Sequence, residues 1–152
     1  MAVHKPLVMI NGRIARLPDG DRLSTDGAVV EMQVDEATGV VKGQVVYTSE
    51  PYKIQCADAA SAGSAEVLGL VTADAASGAY VHVQKEGFFV MADWTAITGA
   101  ATLVAGTEYY LAEGLAAGKL VASPPTSGQV VYVGRAIKPD TLDLSIQQPI
   151  AL

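Results

Sequence analysis

Short apolar segments separated by glycine- and proline-containing turns follow one another along most of the chain. From residue 30 to residue 34, apolar and polar side chains alternate strictly, and residues 80–84 and 142–146 show the same alternation. A period of two places successive side chains on opposite faces of a strand, so each segment is predicted to have one face in a core. Many short strands at close spacing predict an all-β fold, either an antiparallel β-sandwich or a barrel-like domain.

Outside residues 103–136, strands are predicted at these alternating segments and at apolar runs that end at turn residues. They are 28–34, 40–48 with Gly43 as a β-bulge, 52–56, 67–72, 80–84, 88–92 and 142–146. Residues 58–66 are rich in small side chains and are predicted to form a loop or one helical turn. Residues 85–87 are predicted to be a turn, and residues 95–101 a loop.

The N-terminal segment has the pattern of a tight hairpin. Asn11 and Gly12 stand between two short apolar arms within residues 6–17. Asn-Gly accepts positive φ at both positions, which is the requirement of a two-residue hairpin turn. We therefore expect an N-terminal arm over residues 1–25, followed by a β domain over residues 26–152.

Residues 103–136 are the segment around which we expect the domain to be built. Gly106 precedes a predicted strand at 107–111, Gly118 precedes another at 119–122, and a third is predicted at 129–137. Pro124 and Pro125 cannot donate to a ladder, so they separate the second strand from the third. The segment therefore predicts a β-meander.

Several phrases of this segment resemble small β-rich virion proteins of tailed bacteriophages, both head-decoration (cement) proteins and fibre-associated proteins. The phrases are GTEYYL at 106–111, GKL at 118–120, PP at 124–125, GQV at 128–130 and VGRA at 133–136. INGRIARLPDGDRL at 10–23 resembles the leader segments of the same proteins.

This resemblance implies a structural protein of the virion that is assembled in the host cytoplasm. The role that we expect is capsid decoration, in which a homo-oligomer, a trimer by the resemblance, binds the major capsid protein and stabilises the head. An alternative role is a tail- or head-fibre component that binds a tail or portal protein and anchors or presents a receptor-binding element.

Composition and charge narrow the choice of partner. Half of the residues are hydrophobic and 17% are charged, which excludes disorder caused by low hydropathy. The net charge is −6, so no nucleic-acid partner is expected. Four basic and two acidic residues give the arm a net charge of +2 and leave −8 on the remainder. The candidate capsid-contact residues are Lys5, Arg13, Arg16 and Arg22, although solvated arm charges are an equal alternative.

The cysteine count and the hydropathy bear on the compartment. Cys56 is the only cysteine, so no internal disulfide forms, and no signal peptide or membrane-spanning run is apparent. We expect a soluble product with no membrane partner.

Motifs for catalysis or cofactor binding are absent from the sequence. His4 and His82 lack the spacing of a metal pair, and no nucleophile elbow or phosphate-binding glycine loop occurs. Asp19 and Asp21 flank a glycine in a predicted turn, which is a better interpretation than a cation site. Cys56 is predicted to be a small buried side chain rather than a nucleophile. The sequence therefore predicts no enzyme, cofactor or metal.

Three aromatic residues are the remaining candidates for contacts. Trp94, Tyr109 and Tyr110 are expected to belong to the core or to a subunit contact. A functional alternative from another class is a carbohydrate-binding β module in which these three rings form a stacking platform.

Overall fold

The computed structural model describes residues 7–10, 13–16 and 28–152, and it confirms the prediction of an all-β fold. The only α-helix in this part of the chain is α1 (Thr95–Thr98). The strands are β1 (Leu7–Ile10), β2 (Arg13–Arg16), β3 (Val29–Val34), β4 (Val45–Glu50), β5 (Lys53–Cys56), β6 (Val67–Val71), β7 (Tyr80–Gln84), β8 (Glu86–Val90), β9 (Glu108–Leu111), β10 (Leu120–Val121), β11 (Gln129–Val130), β12 (Tyr132–Lys138), β13 (Thr141–Ser145) and β14 (Ile150–Ala151).

Strands β3 to β7 form a closed barrel in the order β3-β5-β4-β6-β7. The β3–β5 pair is parallel, and the other pairs are antiparallel. Side chains that point inward fill the barrel because the strands alternate between an inner and an outer face. The buried residues of this interior are Met32, Val34, Val40, Val46, Ile54, Val71, Val81 and Val83.

The C-terminal half forms an open antiparallel sheet in the order β10-β9-β12-β13-β8. Among the described residues, β10 and β8 are its edge strands. The short strands β11 and β14 pair with each other beside this sheet. The chain therefore passes from one sheet to another between Val130 and Tyr132.

The sheet packs against the barrel through strands that are buried on both faces. In β4, Val46 points into the barrel and Val45 points towards the sheet. In β6, Val71 points into the barrel and Leu70 points towards the sheet. This explains why β4 and β6 contain consecutive apolar residues instead of an alternating pattern. The core between barrel and sheet also contains Phe89, Met91, Trp94, Ile97, Leu103, Tyr109, Leu111, Leu120, Val131, Val133, Ala136, Leu142 and Leu144.

The loop between β9 and β10 stands out from the surface but is fixed at its base. Its 3₁₀ turn (Gly114–Ala116) exposes the whole of Leu115. The Gly114 N–H donates to Asp58 Oδ1 at 2.8 Å, and the Gly118 N–H donates to the Ala57 carbonyl at 2.7 Å. The base of the loop is therefore held against the barrel by backbone donors.

Several predicted elements are confirmed. The hairpin predicted around Asn11 and Gly12 is present as β1 paired with β2, with Ile10 opposite Arg13. The predicted strands at 28–34, 52–56, 67–72, 80–84, 107–111 and 142–146 match described strands within one or two residues at either end. In β7, Val81 and Val83 are buried and Tyr80 and His82 are exposed, as the alternation predicted.

The strand predicted at 40–48 is wrong in its first half. Val40 makes an isolated bridge to Ala75, and β4 begins only at Val45. Gly43 lies in a turn with φ +90° rather than in a β-bulge. A Cβ at this position would lie 3.0 Å from Ile97 Cγ1 and from Met91 Sδ, so the turn needs glycine both for its φ and for close packing.

Three other predictions need correction. The strand predicted at 129–137 is two strands, β11 and β12, because the buried Val131 lies where the chain changes sheets. The predicted loop at 95–101 contains the single turn α1, in which Ile97 is buried. The predicted turn at 85–87 is shorter, since β8 begins at Glu86 and Gly87 adopts φ +83° within the strand.

The division into an arm over 1–25 and a domain over 26–152 stays a prediction. The candidate arm residues Lys5 and Arg22 and the predicted Asp19–Asp21 turn lie outside the described residues, as does His4.

Candidate interaction surfaces

The described residues contain no cluster of three or more His, Cys, Asp or Glu side chains that could hold a metal ion. His82 lies on the outer face of the barrel, where its Nε2 is 3.5 Å from Glu31 Oε2. Within the same residues, every buried side-chain nitrogen or oxygen has a hydrogen-bond partner. In this part of the chain, no buried polar side chain lacks a hydrogen-bond partner that a ligand could supply.

In residues 7–10, 13–16 and 28–152, no helix is both long and apolar enough to cross a membrane.

Cys56 has the environment of an unreactive thiol. It is half-buried in β5, and its backbone N–H donates to Glu36 Oε2 at 3.0 Å. Burial raises the pKa of the Cys56 thiol to about 11, and the nearby Glu36 carboxylate adds to the rise. Since the thiolate is the nucleophile, this environment works against nucleophilic chemistry at neutral pH.

Two of the three predicted aromatic residues are buried. Trp94 has no exposed surface, its ring centroid lies 5.9 Å from that of Phe89, and its Nε1 donates to the Asp140 carbonyl at 3.3 Å. Tyr109 is 5% exposed, and its hydroxyl accepts from the Val104 N–H at 3.2 Å. These two rings cannot stack on a sugar at the surface, so the prediction that Trp94, Tyr109 and Tyr110 form a stacking platform is wrong.

The four candidate arm residues are described only in part. Arg13 and Arg16 occupy the two ends of β2, opposite Ile10 and Leu7 of β1. Their role in capsid contact, together with that of Lys5 and Arg22, stays a prediction.

The outer face of the open sheet carries an ordered polar cluster. Arg135 Nη2 donates to Glu108 Oε1 at 2.6 Å, and the Tyr110 hydroxyl donates to Glu108 Oε2 at 2.8 Å. The hydrogen bond from Arg135, followed by that from Tyr110, lowers the pKa of the Glu108 carboxyl. The same carboxylate raises the pKa of both Tyr110 and Arg135. One carboxylate thus has both oxygens occupied by donors on its own sheet.

A groove lies beside this cluster, between the sheet and the β11–β14 pair. Its volume is about 400 Å³. The rings of Tyr110 and Tyr132 meet nearly at right angles along one side, with centroids 5.9 Å apart and an interplanar angle of 78°. The Gln147 N–H donates to the Tyr132 carbonyl at 3.0 Å, which holds residues 147 and 148 at the groove. We call this feature the tyrosine groove; it is lined by Glu108, Tyr110, Val130, Tyr132, Ser145, Gln147, Gln148 and Ile150.

Apolar side chains are exposed at the opposite edge of the same sheet. Phe88 is 63% exposed and Val90 is 54% exposed, whereas Phe89 between them points into the core. Among the described residues, β8 pairs with β13 alone. The Gln84 Nε2 donates to the carbonyls of Glu86 and Phe88 at 3.0 Å each, so one amide covers part of this edge. We call Phe88, Val90 and the adjoining backbone edge the β8 strip.

The β8 strip continues into a second groove. This groove has a volume of about 480 Å³ and lies between β8 and the start of β3, at Ala28 and Val29. Ala28 lies three residues after the end of the predicted arm, residues 1–25. Any partner of the β8 strip would therefore lie close to the point where the arm joins the barrel.

Two phage structures are among the solved structures to which this chain is similar. No protein-family model matches the chain, and no curated protein sequence matches it. A chain of the capsid of Myoviridae phage XM1 has 15% sequence identity and a TM-score of 0.47, with 88% of this chain and 93% of that chain covered. The N base of the head fibre gp8.5 of bacteriophage phi29 has 13% identity and a TM-score of 0.42, with 77% and 94% covered. Both are parts of phage particles.

Sequence reasoning missed the residues that make these surfaces. Tyr132, Gln147 and Gln148 come together only because β12 and the segment after β13 are neighbours in space. The β8 strip had a local signal, since three consecutive apolar residues at 88–90 exceed what one buried face of an edge strand needs.

Proposed function

We propose that this protein is a structural component of a tailed-phage virion that decorates the head and stabilises it as a cement protein. The observation that carries the proposal is the β8 strip, an exposed apolar strand edge on the open side of the sheet. The phrases at 106–136 and 10–23, which resemble phage decoration and fibre proteins, supply the biological context.

The β8 strip has the physical character of a contact surface. Large exposed apolar side chains next to each other, at a strand edge, mark interaction sites because water solvates them poorly. Strand edges are commonly covered by a neighbouring chain, and within the described part of the chain Gln84 satisfies two of the backbone groups here. In the proposal, the strip packs against the next copy in a closed homo-oligomer, a trimer by the sequence resemblance.

The arm provides the contact with the major capsid protein in this proposal. It has a net charge of +2, whereas the remainder has −8. A basic arm favours attachment to an acidic patch of the shell.

The experiment uses purified heads that lack this protein. Wild-type protein is added, and bound copies per head, co-sedimentation and the temperature of head disruption are measured. We expect hundreds of copies per head and a higher disruption temperature. Reversing the charges of Lys5, Arg13, Arg16 and Arg22 together should weaken co-sedimentation, and unchanged binding would remove the arm from the proposal.

The β8 strip is tested with the double variant Phe88→Lys and Val90→Lys. Sedimentation velocity should show dissociation into monomers, because two charges cannot be buried in the contact without partners. The matched control is Tyr80→Lys, which alters a side chain that is 65% exposed on the barrel and should leave the oligomer intact. A wild-type protein that is monomeric at all concentrations would contradict self-association through this strip.

The alternative role is tested by the same count of copies. A fibre component that binds a tail or portal protein would be present at about a dozen copies or fewer, bound at a single vertex or at the tail. That outcome would replace the cement role while keeping a structural role in the virion.

A further inference from the structure

We infer that the tyrosine groove binds a neutral saccharide. This site uses different residues from the β8 strip and the arm, and it shares only Tyr110 with the stacking platform predicted from the sequence. The inference goes beyond the decoration role, because it concerns attachment to something outside the particle. It rests on three properties of the groove: its rings, its hydrogen-bonding groups and its charge.

The rings give the groove an apolar corner of the right kind for a sugar. Tyr110 and Tyr132 are both half-buried and stand at 78° to each other, so each ring is held in place by the other. A sugar ring has C–H bonds on its faces, and aromatic rings bind such surfaces without needing to bury a charge. Ordering the two rings in advance lowers the entropic cost of binding.

The polar groups of the groove offer both donors and acceptors. Gln147 and Gln148 are exposed, and their amides provide both functions, as does the Ser145 hydroxyl. Glu108 adds acceptor lone pairs on a carboxylate that Arg135 and Tyr110 hold in one orientation. Each sugar hydroxyl can both donate and accept, so this mixed set suits a sugar better than it suits a purely donating or accepting ligand.

The charge of the groove favours a neutral ligand. Glu108 is the one charged residue in the lining, and Arg135 neutralises it at 2.6 Å. An anionic ligand would meet the carboxylate, and a cationic one would compete with Arg135 for it. The volume of about 400 Å³ lies within the usual range for small-molecule sites, and the groove is open enough to accept one or two units of a longer glycan.

The test is ligand-observed NMR on the full chain with lactose, cellobiose and chitobiose, followed by titration of any binder against labelled protein. We expect at least one neutral disaccharide to bind and to shift the resonances of Tyr110 and Tyr132. The variant Tyr132→Ala should weaken binding roughly threefold to tenfold, whereas Tyr132→Phe, which keeps the ring, should bind nearly as well. The matched control Tyr80→Ala removes an exposed barrel tyrosine and should bind like the wild type.

A second variant guards against a folding defect in Tyr132→Ala. The double change Gln147→Ala and Gln148→Ala removes two exposed amides and should weaken binding without altering the melting temperature. The inference is overturned if none of the three disaccharides binds, if only charged glycans such as sialyllactose bind, or if Tyr132→Ala and the glutamine variant both bind like wild type. Head binding in the co-sedimentation experiment should be unaffected by these variants, so the two proposals fail independently.

Discussion

The barrel of β3 to β7 has no strand edges, whereas the open sheet of β8, β9, β10, β12 and β13 has two among the described residues. Each barrel strand has a neighbour on both sides, so the barrel has no edge to protect. The sheet is open, and β8 carries exposed apolar side chains at one of its edges. This difference indicates where partner proteins would bind. All barrel strands are already paired on both sides, so we expect the contact surfaces for partners to lie on the sheet.

The two regions also differ in what fills them. The barrel interior contains valines with one isoleucine and one methionine, whereas the buried aromatic residues Phe89, Trp94 and Tyr109 all lie between barrel and sheet. Small β-branched residues fit the narrow inside of a five-stranded barrel, and large rings fill the wider space between layers. Because β4 and β6 border both cores, we expect the two regions to unfold together.

The largest expected effect comes from emptying either core. Trp94→Ala should lower the free energy of unfolding by about 3–5 kcal/mol, because the ring is fully buried and also loses its bond to Asp140. Ile54→Ala in the barrel should cost about 2–5 kcal/mol. Urea unfolding should show one transition in both variants. Two separate unfolding transitions, of which each variant shifts only one, would contradict the expectation that the barrel and the sheet unfold together.

The next effect tests the contact between β6 and β7. A Cβ on Gly69 would collide with the backbone carbonyl of Gln84, so Gly69→Ala should cost at least about 2 kcal/mol as the strands move apart. Gly63→Ala is the control, since nothing lies within 4 Å of its added Cβ. That control should change stability by less than about 1 kcal/mol, in the stabilising direction. Equal effects at the two glycines would contradict the close approach.

The third prediction concerns the half-buried thiol of Cys56 in the barrel. With a pKa of about 11, Cys56 should react with iodoacetamide at pH 8.5 roughly a hundredfold more slowly in the native protein than in urea. The native rate should rise about tenfold per pH unit until pH approaches 11. The folded state holds this proton more tightly, so its contribution to stability is complete below pH 9 and is lost as pH rises towards 11. Equal rates of reaction with iodoacetamide in the native and the unfolded protein at pH 8.5 would contradict the raised pKa of Cys56.

The smallest effect concerns the exposed carboxylate of the sheet. Arg135→Gln should raise the pKa of Glu108 towards its ordinary value by more than Tyr110→Phe does, because Arg135 makes the larger contribution. The lowered pKa means that this interaction stabilises the fold above the ordinary carboxyl pKa and is lost as pH falls through the lowered one. Carbon-detected NMR titration measures both shifts. Lys138→Gln, on the same strand β12, is the control and should leave Glu108 unchanged.

Local patterns predicted much of this fold because the alternation of β3, β7 and β13 reports directly on one buried face. The pairing of β1 with β2 was predicted for a similar reason, since an Asn-Gly pair between two short apolar arms is a strong local signal for a hairpin. Gly43 was misread because a glycine inside an apolar run fits a bulge and a turn equally well, and its packing against Ile97 comes from a distant segment.

The surfaces were harder to predict because they depend on long-range pairing. Strand β8 pairs with β13, which places residue 86 opposite residue 145. Within the described residues β8 has no second neighbour, and this long-range pairing is what makes it an edge strand. Trp94 was expected in a core or a subunit contact, but nothing local indicates that Asp140 provides its hydrogen-bond partner. The tyrosine groove needs three separate segments, at 108–110, 130–132 and 145–150, and no one of them carries a recognisable motif.

The loop that carries Leu115 has a practical consequence. Hydrogen bonds at Gly114 and Gly118 hold its base against the barrel, while Leu115 at its tip is fully exposed. A foreign peptide spliced in at this tip would be held clear of the surface with little penalty to folding. If the protein coats a particle as proposed, this site offers a regular, many-copy array for presenting an antigen.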